Sequence, residues 1–134
     1  MNGPDAEIYV IAREEGSGTR DTFNELVMGS TTAETPGVST TAMGSAEVKT
    51  AIAGSDKAIG YLGFSYASGG DVGALQYEGV NPTIENIKSS SYPLHRHLYF
   101  YTFGQPTACA QKFIDFVLSA EGQKLAEDNG FIPI

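Results

Sequence analysis

The sequence predicts an α/β domain, a mixed β-sheet flanked by helices. One reason is the short apolar run Ile8-Tyr9-Val10-Ile11-Ala12, bounded by charge and glycine. Another is the set of apolar stripes at helical spacing that follows it. A third is that strand-like and helix-like segments alternate without an internal repeat, which disfavours a bundle or a sandwich. The chain has 134 residues, the length of one domain, and a chain of that size buries roughly two thirds of its unfolded surface. Apolar residues make up 41% and charged residues 18% with no biased tract, as in ordinary folded domains rather than disordered or fibrous chains.

Residues 8–12 read as a strand buried on both faces. A helix follows, on which Phe23, Leu26 and Val27 stand at i, i+3 and i+4, and Gly29 sits where a C-terminal cap glycine belongs. Residues 30–36 form a polar loop. Val48, Ala51 and Ile52 make a second stripe on a short helix that Ser45 caps and Gly54 ends. Ala58-Ile59-Gly60-Tyr61-Leu62 is the next strand. Gly69-Gly70-Asp71 interrupts the chain before a strand over residues 72–77, and Asn81-Pro82-Thr83 turns into a short helix through Ile84 and Ile87. Residues 97–103, rich in aromatic side chains, are the strongest β candidate and are expected in the core, approached through the extended Tyr92-Pro93. Ala110, Phe113, Ile114 and Val117 mark an amphipathic helix. Ser119 begins another, which carries Leu125 and is closed by Asn129-Gly130.

Charge and composition exclude several classes of function. Sixteen acids against eight scattered bases, a net charge of −8, argue against nucleic acid as a partner, since phosphate-backbone binding needs clustered Lys and Arg. The longest apolar runs, such as Leu98-Tyr99-Phe100-Tyr101-Thr102-Phe103, fall far short of the eighteen or so residues that span a bilayer. Residues 1–7 have neither the basic start nor the apolar core of a signal peptide. Cys109 stands alone, which excludes an internal disulfide and a metal site built on cysteines. His95 and His97 alternate along the expected strand but lack a third ligand, so neither metal nor cofactor is expected. A nucleophilic Ser17 would need His and Asp partners that nothing in the sequence brings to it, so an enzyme is not expected either.

Against that acidic background the chain sets Arg13 and Arg20 around Gly16-Ser17-Gly18-Thr19, between the first strand and the first helix. Such a turn leaves the first N–H groups of the helix unpaired at the positive end of its dipole. Gly16 and Gly18 admit close backbone approach, and Ser17 and Thr19 add hydroxyl donors. Arg13, at the end of the strand, can grip two oxygens of a tetrahedral oxyanion at once. Screening over about 8 Å lets these local donors outweigh the net charge. The same residues fit equally well a capped helix whose arginines pair with Glu14, Glu15 or Asp21. No nucleotide template fits: no lysine follows the second glycine, and Gly16-x-Gly18-x-x-Asp21 lacks a third one.

Arg13 followed by Ser17-Gly18-Thr19 and then Phe23 resembles the second-lobe phosphate motif of the phosphate-binding proteins of ABC transporters. Three further segments are similar to family segments and stand in the family's order: Ala58-Ile59-Gly60-Tyr61-Leu62-Gly63-Phe64-Ser65-Tyr66-Ala67, Tyr92-Pro93-Leu94-His95-Arg96-His97-Leu98-Tyr99, and Phe116-Val117-Leu118-Ser119-Ala120-Glu121-Gly122-Gln123-Lys124. The resemblance covers residues 8–133 and implies a lobe of the type II periplasmic-binding-protein fold. It implies Arg13, Ser17, Gly18 and Thr19 as phosphate ligands, with Gly16 and Arg20 in support, Arg20 bracing the loop through an acid. It also implies inorganic phosphate as ligand, a membrane permease as partner, and an extracytoplasmic place, periplasmic or at the cell surface, with or without a lipid anchor. Sulfate, molybdate or tungstate binding, or a sensor or adhesion module of the same fold, are the alternatives. The family's first lobe supplies further donors and a proton-accepting acid, for which Asp56 and Asp71 offer no matching motif. Residues 1–134 are therefore expected to form a single lobe of a longer two-lobe protein. Alone, that lobe is expected to bind phosphate weakly or undetectably, and, if the other lobe covers part of the aromatic run, to self-associate or swap elements through the apolar patch so exposed.

Overall fold

Strand β1 (Tyr9–Arg13) runs between β2 (Val38–Ala42) and β3 (Ala58–Gly60), giving a three-stranded sheet of order β2-β1-β3 in which both pairings are parallel. This is seen in a computed structural model, which describes residues 5–67 and 69–134. The reading of residues 1–7 falls in part on residues 1–4, outside those described. Parallel neighbours need crossovers, and helices α1 (Gly18–Leu26) and α2 (Ser45–Ala53) supply them. Ile11 pairs with Thr40 on one side and Gly60 on the other, and Arg13 pairs with Ala42 at the C-terminal edge.

The core is small and sits under that edge. Ile11 and Val48 are fully buried and Ala42 nearly so, with Ala51, Ile52, Ala58 and Leu62 packed around them. Gly60 permits the close approach of β3: a Cβ there would stand 3.0 Å from both the Ile11 carbonyl oxygen and Val48 Cγ1. The strand expected to be buried on both faces is so only in its second half. Ile11, Ala12 and Arg13 are buried, while Ile8 and Tyr9 are exposed because little packs beside the N-terminal end of the sheet.

The remaining helices are α3 (Phe64–Ala67), α4 (Ile84–Lys88), α5 (Ala108–Leu118) and α6 (Ala120–Asp128). Thr83, Thr107 and Ser119 cap α4, α5 and α6 by accepting the backbone N–H of the third residue of each helix. Gly29, with φ +78°, turns the chain left-handed just beyond α1, as a terminating glycine should. Ser45 departs from expectation: it is the first residue of α2 rather than its cap, and Gly44 precedes it with no side-chain cap. Its hydroxyl is taken elsewhere.

Two expected strands are absent from the described residues. Residues 72–77 are irregular, and only Tyr77 bridges, reciprocally, to Val80 at 3.0 Å. Residues 97–103 form no ladder and are not core: Tyr101 and Phe103 are almost bare. A strand needs a partner as well as propensity, and no described strand lies beside this run. Conversely, β2 was not foreseen, because Val38-Ser39-Thr40-Thr41-Ala42 carries hydroxyls where an apolar face would be sought. Helices α5 and α6 pack on one another rather than on the sheet. Among the described residues no helix is long and apolar enough to cross a membrane.

Candidate functional site

In an open parallel sheet, loops and helix starts converge beyond the C-terminal ends of the strands, and three of them meet around Arg13. As the last residue of β1 it is 8% exposed. Its backbone N–H donates to Tyr61 Oη at 3.2 Å, just past the end of β3. Its Nη1 donates to Ser45 Oγ at 2.9 Å, at the start of α2, and that hydroxyl also accepts from Gly63 N at 3.4 Å. Nε and Nη2 donate to the two Glu14 carboxylate oxygens at 2.7 and 2.8 Å. Three of the five guanidinium donors are thus held in place. The same pair drives the Arg13 pKa further up, through the hydrogen bond to Glu14 first, and holds the Glu14 carboxyl below its ordinary 4.5.

From Arg13 the chain turns through Gly16 at φ +81°, a conformation that favours glycine. It enters α1 at Ser17, which is 5% exposed. Ser17 caps the helix, its Oγ accepting from Arg20 N at 3.3 Å, while the Asp21 N–H takes the Ser17 carbonyl at 2.9 Å. Among the described residues no acceptor engages the N–H groups of Gly18 and Thr19 or the Thr19 hydroxyl. Two backbone donors therefore stand open at the positive end of the helix. Arg20 does support the loop, but through Nη1 to the Arg13 carbonyl at 3.3 Å rather than through an acid. Beneath the turn, Phe23 stacks on Tyr61 with ring centroids 4.2 Å apart, which fixes α1 against the end of β3.

The six residues singled out from the sequence thus form one continuous turn. Both readings of that turn leave a mark on it. Arg13 is paired to Glu14 and Ser17 is a cap, yet the first two helical N–H groups remain open. Three residues were missed. By sequence alone Tyr61 reads as part of a strand and Ser45 as a cap. Arg96 lies in a family-similar segment but carries no local mark of a site: its exposed guanidinium lies against Gly18, so that a Cβ on Gly18 would fall on Nη2 and stand 3.3 Å from Cζ. His95 is committed to structure, Nδ1 lying 2.6 Å from the Tyr92 carbonyl oxygen, and no group of residues able to hold a metal ion occurs among the described residues.

A sequence profile of the PBP superfamily domain matches residues 2–121. The chain belongs to the PBP superfamily. It is similar to the phosphate-binding protein PstS of Bacillus subtilis (strain 168), with 37% identity over 135 residues, spanning 100% of this chain and 44% of that one. Phosphate-binding protein PstS 2 of Streptococcus agalactiae is 33% identical, across 95% of this chain and 46% of its own length. A Clostridium perfringens structure, described as a phosphate ABC transporter substrate-binding protein with bound phosphate, superposes with a TM-score of 0.81 at 36% identity. It matches 98% of this chain and 54% of that one. The chain spans under half the length of these curated relatives. The expected family and fold class are borne out.

Proposed function

We propose that this chain binds inorganic phosphate at the β1–α1 turn, as one lobe of the solute-binding component of an ABC phosphate import system. Arg13, Ser17, Gly18 and Thr19 are the ligands in this reading, with Gly16 shaping the turn and Arg20 bracing it. The observation that carries it is the pair of open N–H groups at Gly18 and Thr19, in a chain similar throughout to a structure that holds phosphate. The function is capture and release without covalent chemistry. In the longer two-lobe protein, the lobe faces the outside of the membrane and hands the ion to a permease.

A lobe acting alone gives fewer hydrogen bonds and less desolvation than two closing on the ion, so its binding is weak. The bare aromatic run supports self-association of the lone chain with a second copy. Tyr99, Phe100, Tyr101, Phe103, Phe113 and Phe116 are all exposed. Taking about 200 Å² for a fully buried ring, they present on the order of 800 Å², the share each partner contributes to a specific interface.

Titrating the amide NMR signals of residues 16–20 with phosphate, sulfate and molybdate tests the function. Saturating shifts favouring phosphate are expected. Equal shifts with all three anions make the turn a general oxyanion seat, and no shift with any of them removes the reading.

A further inference from the structure

We infer that Arg96 is a further phosphate-binding residue of this turn, closing over the mouth of α1 from a segment far away in sequence. The inference rests on the phosphate reading of the turn and adds a ligand to it. In a helix each Cα–Cβ bond tilts toward the N-terminus. An atom occupying the Cβ position of the first helical residue therefore stands at the opening of the first turn. Arg96 Nη2 is there, beside the open N–H groups of Gly18 and Thr19.

The identity of residue 18 points the same way. Gly18 is not in the left-handed region that calls for glycine, and the three atoms nearest to where its Cβ would stand all belong to the Arg96 guanidinium. As the first residue of α1, Gly18 escapes the cost of glycine in a helix interior, and its missing Cβ leaves the mouth of the helix open to close approach. What its missing Cβ admits is the guanidinium. The backbone just before Arg96 is fixed by a turn in which His95 N donates to the Pro93 carbonyl at 3.0 Å and His95 Nδ1 lies 2.6 Å from the Tyr92 carbonyl oxygen.

Charge completes the argument. The Arg13 cation is balanced by Glu14, whereas among the described residues Arg96 makes no ion pair and no hydrogen bond. A guanidinium set against the positive end of a helix dipole is repelled by it. An oxyanion set beside both, taking the open N–H groups on one side and the guanidinium on the other, turns that repulsion into attraction, and the planar guanidinium fork can meet two of its oxygens.

The test is phosphate titration by NMR at fixed ionic strength, on the wild-type chain and on Arg96→Gln, Arg96→Lys and Gly18→Ala. In the wild type, the Gly18 and Thr19 amides and the Arg96 Nε–H signal are expected to shift together. Arg96→Gln should weaken binding about 10- to 100-fold, the value of one charged hydrogen-bonded contact, and Arg96→Lys should recover part of it. Gly18→Ala should weaken binding by displacing the guanidinium, with no fall in urea midpoint. If Arg96→Gln binds phosphate as the wild type does, the Arg96 role is overturned while the phosphate reading stands. If the wild type gives no shift at the turn, both fall.

Discussion

Removing the Ser45 hydroxyl together with its Arg13 partner separates the observed role of that residue from the cap its position in the sequence suggests. Ser45 Oγ accepts from Arg13 Nη1 at 2.9 Å and from Gly63 N at 3.4 Å. A hydrogen bond to a charged donor contributes about 1.5–3 kcal/mol, while one at the far edge of the distance range contributes little. Ser45→Ala should therefore cost about 2 kcal/mol, or about 6 °C in Tm for a domain of this size. A lost cap would cost a similar amount, so the single variant does not discriminate. The cycle with Arg13→Met does. If the Ser45–Arg13 link is the cause, the two substitutions are coupled by about 1.5 kcal/mol in urea denaturation, because either one removes the same bond. Additivity to within about 0.5 kcal/mol would refute the link and return Ser45 to a purely local role.

Gly60→Ala should destabilise the sheet by about 1–3 kcal/mol, since its methyl would press on the Ile11 carbonyl and Val48 Cγ1, both core atoms with little room to yield. A urea midpoint equal to wild type would show that β3 can shift aside. The Glu14 carboxyl is held below 4.5 by its hydrogen bond to Arg13, so its ionised form is favoured by folding. Its contribution is complete above the ordinary glutamate value and fades as pH falls through the lowered one. Urea midpoints should therefore fall more steeply below pH 4.5 in the wild type than in Glu14→Gln, and parallel curves would contradict the pairing. Tyr101→Ser with Phe103→Ser should shift sedimentation of the lone chain toward monomer, since these are the barest rings of the aromatic run. An unchanged profile moves the contact elsewhere.

What could be read from the sequence, and what could not, follows the range of the interactions involved. The β1–α1 junction was legible because its parts lie within one short stretch. The apolar run, the glycine with φ +81° and the Ser17 cap each act on their immediate neighbours. Strand β2 was not legible, because what makes residues 38–42 extended is the ladder offered by β1, not any pattern of their own. Residues 97–103 failed in the opposite sense. Their aromatics fit a half-buried pleated surface, but among the described residues they have no ladder and remain exposed.

The site follows the same logic one level up. Spacing placed the donors of the turn correctly with respect to one another, yet it gave no means of seeing what faces them. Ser45 is good cap chemistry, and locally that is all it is. Only when β1 and β2 lie side by side does its hydroxyl come within reach of Arg13, and the stronger, charged partner wins it. Arg96 is the extreme case, since no periodicity links position 96 to position 18. The trace it leaves in the sequence is indirect: a glycine at the first helical position, whose missing Cβ leaves room for it. A glycine at the mouth of a helix leaves space that a distant side chain can enter, and which side chain does so is decided by the fold and not by the local sequence.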